Sequence, residues 1–183
     1  MLYSQVIKQK SYEKIAHLLR RDIVTFVPYV FFLILLLGVE VGVYFLLKTL
    51  FPDLFLKNIT LAVLYIAGFI YTLSVWLFFY TAFVNYFLDM WIVTTDRIVD
   101  IRQMGLFSRT VAELDLFRVQ DVTSEEHGLF ATMFDFGNVY IQTAGEKERF
   151  IFYNVAEPHK IREAVIHLAD EDRKFHNTNK KKE

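Results

Sequence analysis

Residues 24–47 read VTFVPYVFFLILLLGVEVGVYFLL, and residues 59–88 read ITLAVLYIAGFIYTLSVWLFFYTAFVNYFL. The first run carries one acid, Glu40; the second carries one amide, Asn85, and no charge. A helix rises about 1.5 Å per residue, so roughly 20 apolar residues cross ~30 Å of hydrocarbon, and both runs exceed that. They read as a pair of transmembrane helices. The link between them, residues 48–58, holds Pro52, Asp53, Lys57 and Asn58, which break a helix and prefer water. It is long enough only for an antiparallel return, which leaves both flanking segments on one side.

The basic residues choose the side. The first 23 residues hold Lys8, Lys10, Lys14, Arg20 and Arg21 against Glu13 and Asp22, whereas the link has only Lys48 and Lys57. By the positive-inside rule both termini face the cytoplasm, as expected of a multi-pass protein of the cell (inner) membrane. A cleaved signal peptide has a shorter apolar core and a small-residue cleavage site, neither of which is present. A hydrophobic content of 54% and a mean hydropathy of +0.30 fit a chain that is half membrane hairpin and half another domain. With no cysteine, the chain has no disulfides and no thiolate chemistry.

Residues 1–23 place Ile15, Leu18 and Leu19 on one helical face, which predicts a short interfacial helix before the first span. Within that span Gly38 and Gly42 form a GxxxG pair, a spacing that lets a second helix approach closely, near Gly68 and Thr72 if the second span is the partner. Glu40 lies about 200° round the helix from Gly38, so it is expected to point away from that ridge. An acid in a span costs about 2.5–3.5 kcal/mol at the helix centre, which makes it a functional candidate. One acid on two helices makes no ion pathway, leaving a partner contact or a structural acid satisfied by a nearby hydroxyl such as Tyr65 or Tyr71.

After Leu88 the pattern changes to short runs rich in Val, Ile, Phe, Tyr and Thr: residues 91–94, 97–103, 109–116, 119–125, 137–143 and 149–155. Turn signals at 95–96, 104–105 and 144–147 separate some of them, and the series predicts an antiparallel sheet or small barrel. A helix opening near Pro158, with Ile161, Val165 and Leu168 on one face, closes the unit. The charged tail after residue 170 is expected to be disordered. The divisions are thus 1–23, 24–88, 89–170 and 171–183.

The stretches WIVTTDRIVDI (91–101), GLFSRT (105–110), RVQDV (118–122) and FGNVYIQTAG (136–145), with YEKIAHLLRRD (12–22) before the first span, resemble the membrane-flanked bacterial pleckstrin-homology (PH) family of the YdbS-like type. The resemblance implies an α+β membrane protein: an N-terminal two-helix transmembrane hairpin followed by a PH-like antiparallel β-barrel capped by a C-terminal α-helix. It implies no enzyme activity. The motif residues Trp91, Thr94, Arg97, Gly105, Gln120, Asp121, Val122, Gly137, Thr143 and Gly145 read as structural, because turns and strand crossings need them.

Leu129, Phe130, Met133 and Phe134 fall in the connection at residues 127–135, where they either cover an open barrel end or form a docking patch; covering the barrel is the expectation. From residue 89 onward 13 Lys and Arg stand against 17 Asp and Glu, a net of −4, which argues against phosphoinositide or nucleic-acid binding. The five histidines show no HExxH spacing, and no P-loop, GxGxxG or GxSxG occurs. No cofactor and no catalysis are expected. The expected function is a membrane-anchored interaction or scaffold module that binds a protein partner or self-associates. Alternatives are a lipid-responsive module and an accessory subunit of a transporter or envelope-stress system.

Overall fold

The computed structural model describes residues 10, 13–143 and 150–180, with the backbone alone for 176–180. Gly145 and the turn around it lie outside the described residues, as do 181–183. Ile15–Arg20 is a β-strand, β1, and not the interfacial helix read from its apolar spacing. The reason is a partner far along the chain. β1 pairs antiparallel with β2 (Met90–Thr94), Leu19 opposite Trp91 and Arg20 opposite Met90, and Leu19 packs on the core while Ile15 and Leu18 stay exposed. Ile15–Arg20 is therefore the edge strand of the first sheet.

Between β1 and β2 the chain makes its two long helices, α1 (Val27–Leu50) and α2 (Asn58–Leu88). Asp22 starts the first by capping a 3-10 turn, its carboxylate accepting from the Val24 amide at 2.8 Å, with Pro28 in the first turn of α1. With the lead-in turn, Ile23–Leu50 and Asn58–Leu88 are long and apolar enough to cross a membrane, at mean hydropathies of 2.6 and 2.0. Along both helices only Val75 is buried.

β2, β3 (Arg97–Met104) and β4 (Ser108–Asp115) continue from β1 as a four-stranded antiparallel sheet in sequence order. β5 (Val119–Glu125), β6 (Phe136–Thr143) and β7 (Phe150–Ala156) form a second, three-stranded one. Their shared core holds Trp91, Val93, Ile98, Leu116, Val139 and Phe152, all fully buried, with the Trp91 and Phe152 ring centres 5.7 Å apart. Each such side chain contributes about 1.5–3 kcal/mol by leaving water.

The sheets do not close into the expected barrel. The chain leaves the first sheet through a 3-10 turn at Leu116–Arg118, held by the Leu116 amide on the Asp96 carbonyl, so no ladder joins β4 to β5. At the other edge a single bridge, Arg21 to Val155, links the sheets among the described residues. The fold is α+β with two antiparallel sheets. α4 (Pro158–Lys180) lies against β5, β6 and the 3-10 turn, seating Val165 and Ala169 in the core. It runs past residue 170, where disorder was expected, because Asp172 is buried and the Arg173 guanidinium donates to the Val119 carbonyl.

Candidate functional site

In the helix pair the acid and the glycine ridge lie on opposite faces, and it is the acid that faces the neighbouring helix. Glu40 faces α2: the Thr72 hydroxyl lies 2.7 and 2.9 Å from its two carboxylate oxygens, and a Cβ on Gly68 would meet that carboxylate at 3.4 Å. Tyr71 donates to the Leu36 carbonyl at 3.0 Å and Tyr65 is exposed, so neither phenol serves Glu40. Gly38 and Gly42 have nothing within 4 Å of the space a Cβ would take, so the GxxxG ridge faces outward. Glu40 thus sits in a groove of about 910 Å³ between the helices, whose other walls include Val43, Tyr44 and Leu64.

Where the helices meet the sheet, polar groups converge. Asp89, the residue that ends α2, is 2% exposed; its carboxylate accepts from the Gln103 amide at 2.7 Å and from the Arg21 guanidinium at 2.6 Å. Asn85, one turn earlier, accepts from the Gly105 amide at 2.9 Å, and Gly105 has the positive φ of 71° that a tight turn requires. Asn85 and Asp89 therefore lock α2 to β3 and the β3–β4 turn. A cavity of about 490 Å³ opens beside them, with Arg21, Tyr29, Phe78, Thr81 and Asn154 in its walls.

At the opposite end of the first sheet, the Thr94 hydroxyl donates to the Arg97 carbonyl and accepts from the Asp96 and Arg97 amides, which builds the β2–β3 turn. Arg97 bonds both carboxylate oxygens of Glu13, at 3.0 and 3.1 Å, and reaches Glu113 at 2.6 Å. Lys10 pairs with Asp96 at 2.5 Å. Every charge of this turn meets its opposite within the chain, and the turn is structural. Burial of Glu13 acts to raise its pKa, but the bonds from Arg97 and the Lys10 amide outweigh it and hold the carboxyl below its ordinary 4.5. Stability from a depressed acid is complete above the ordinary value and vanishes as pH falls through the depressed one. Glu13→Gln is therefore expected to cost about 2 kcal/mol at neutral pH, the scale of hydrogen bonds to a charged group. The gap to the natural chain should close below about pH 4.5, as thermal unfolding in detergent across a pH series would read; a gap independent of pH would contradict the ion pair.

The other motif residues divide plainly. Trp91 and Val122 are core, Gln120 and Asp121 are exposed on β5, and Thr143 pairs opposite Val119. Gly137 lies where β6 passes the end of β5, and a Cβ there would stand 2.4 Å from the Glu125 carbonyl oxygen. The connection before β6 holds a short helix, α3 (Leu129–Phe134), with Ala131 alone buried. Leu129 is 79% exposed and Phe130 64%, with Met133 and Phe134 also exposed, so these side chains form a patch and do not cover the sheets. Among the described residues no group of three His, Asp or Glu is placed to hold a metal.

Sequence reasoning noted Asn85 only as a lone amide and missed Asp89. The available signal was position: two short polar side chains one turn apart at the end of an apolar run.

A family model described as bacterial PH domain matches residues 24–169. Among solved structures the chain is similar to a protein with a pleckstrin-homology domain from Shewanella loihica PV-4, at 14% identity and a TM-score of 0.37, over 44% of this chain and 70% of that one. It is also similar to a pleckstrin homology domain from Shewanella amazonensis SB2B, at 15% identity and a TM-score of 0.34, over 44% and 74%. No curated protein matches.

Proposed function

The chain belongs to the bacterial PH domain family, and from that premise we propose that it is a membrane-anchored interaction module. Its helix pair holds the two-sheet domain at the cytoplasmic face of the cell membrane, where it binds a protein partner or a second copy of itself. The proposal assigns it no catalytic step and no cofactor.

One observation carries the reading: two long apolar helices have Val75 as their one buried residue, and most of their large apolar side chains are exposed among the described residues. A helix apolar all round is stable in a protein core or in a bilayer, and no core surrounds these. Arg20 and Arg21 stand just before the first helix, on the side where β1 and β2 lie, which favours that side as cytoplasmic. Gly38 and Gly42 supply an outward ridge for another helix, and the α3 patch offers the soluble domain a surface of its own.

The chain has no cysteine, so single cysteines report sidedness cleanly. On intact cells an impermeant maleimide is expected to label Leu56→Cys in the link and to spare Gln120→Cys until the membrane is opened. A photo-crosslinker at Phe45, on the glycine face, is expected to capture a second copy or a membrane protein, and Gly38→Leu with Gly42→Leu to abolish the capture. Equal labelling of both cysteines would remove the anchor; crosslinks to lipid alone, unchanged by the leucines, would remove the ridge as a contact.

A further inference from the structure

The turn joining β3 and β4 reads Met104-Gly105-Leu106-Phe107; Gly105 and Leu106 are half-buried, but among the described residues Phe107 is 98% exposed and Met104 65%. Its position is fixed by the Asn85 carbonyl oxygen, which accepts from the Gly105 amide at 2.9 Å. Asn85 precedes the end of α2 at Leu88 by three residues, roughly 5 Å of helix, so the turn lies alongside the last turn of the helix and not beyond its end. Gln103, held through its amide by Asp89, fixes the preceding strand residue.

We propose that this turn is a second membrane contact, with Phe107 and Met104 entering the leaflet that α2 leaves. The proposal rests on the membrane reading of the helix pair. Three observations favour lipid as the occupant. The apolar tip stands beside the last turn of α2, tied to it through Asn85, at the level where the apolar helix ends. Gly105, with no side chain and a left-handed backbone, turns the strand sharply enough to project Phe107 free of the sheet. Arg109, exposed, pairs opposite Gln103, and Arg102, whose guanidinium also meets the Asp100 carboxylate at 2.9 Å, stands opposite Thr110, so cationic side chains flank the tip where anionic headgroups would lie. An apolar tip with a cationic collar complements an anionic leaflet, from hydrocarbon to headgroup. The role differs from headgroup capture in a basic pocket, because the apolar side chains make the contact and the arginines lie beside it.

The test uses the full chain in vesicles of phosphatidylcholine and phosphatidylglycerol, with the fluorophore NBD on single cysteines. Phe69→Cys, on α2, reports whether the helix is in the bilayer; Gln120→Cys reports water. Phe107 packs on nothing, so Phe107→Cys leaves the fold intact. The Phe107 probe is expected to show a blue shift, loss of quenching by aqueous iodide, and quenching by nitroxide placed shallowly on the lipid chains. Iodide quenching equal to that at residue 120, with the residue 69 probe quenched by lipid nitroxide, overturns the turn contact and leaves the anchor standing. Shielding from iodide without nitroxide quenching overturns it in favour of a protein on the tip. A residue 69 probe open to iodide overturns the membrane reading itself, and this proposal with it.

Discussion

Asp89→Ala is expected to destabilise the folded domain by about 2–3 kcal/mol, because it removes a buried carboxylate and leaves the half-buried Arg21 guanidinium and the Gln103 amide without their acceptor. The Asp89 carboxylate is 3% exposed and holds the Arg21 guanidinium and the Gln103 amide, one from each side of the helix–sheet junction. Its removal strands a cation between two sheets and an amide at the end of β3. Unfolding of the full chain in detergent reads the loss, and limited proteolysis after α2 locates it. Asp121→Ala, at an exposed position on β5, is the control and is expected to change stability by less than about 0.5 kcal/mol. Equal stability of the two variants would mean that Asp89 is solvated and the junction loose.

Gly137→Ala is expected to cost about 3 kcal/mol, at the upper end for overpacking, since the nearest atom the added carbon meets is backbone, with the Glu126 side chain at 3.0 Å beside it. The Glu125 oxygen would lie 2.4 Å away and the Glu125 carbonyl carbon 3.1 Å, so β6 must move off β5 to admit it. β6 is the middle strand of its sheet, and its displacement also breaks the register of Gly137 on Val155. Gly105→Ala serves as comparison: nothing lies within 4 Å there, and its cost is only that of a positive φ, about 1 kcal/mol. The order of midpoints in thermal denaturation, Gly137→Ala lowest, decides the matter.

The strands after Leu88 were legible because each is a short β-branched or aromatic run bounded by turn residues, and β5 at Val119–Glu125 matches its run residue for residue. β1 was not. Its six residues, IAHLLR, carry a helical apolar spacing, and what makes them a strand is Met90–Thr94, roughly 70 positions away, a pairing that no local window contains. The hairpin shows a second limit. Sequence spacing fixes the angle between Glu40 and Gly38 but not which of them faces the neighbouring helix; the Thr72 hydroxyl decides that by giving the acid a partner. The glycines then turn outward, the opposite of what a GxxxG pair suggests for two helices of one chain. The α3 patch was visible as four apolar residues, but whether they cover or protrude depends on the neighbouring strands. The barrel failed to close for a reason just as non-local: the Leu116 amide finds the Asp96 carbonyl and turns the chain into the second sheet.

The placement of the two long helices between adjacent strands has a consequence for synthesis. Arg20 and Met90 are neighbours in the sheet, yet the ribosome makes them about 70 residues apart, which at 5–20 residues per second is roughly 4–14 s. Through that interval β1 has no partner and must wait at the surface as a bare strand. Bringing ends so far apart together in a flexible chain costs about 4 kcal/mol of entropy. A pair of helices that has already turned back on itself delivers both ends to the same place, so formation of the helix pair precedes and templates the first strand pairing. A chain whose two helices fail to pair would leave β1 apart from β2, and the first sheet would keep an open edge.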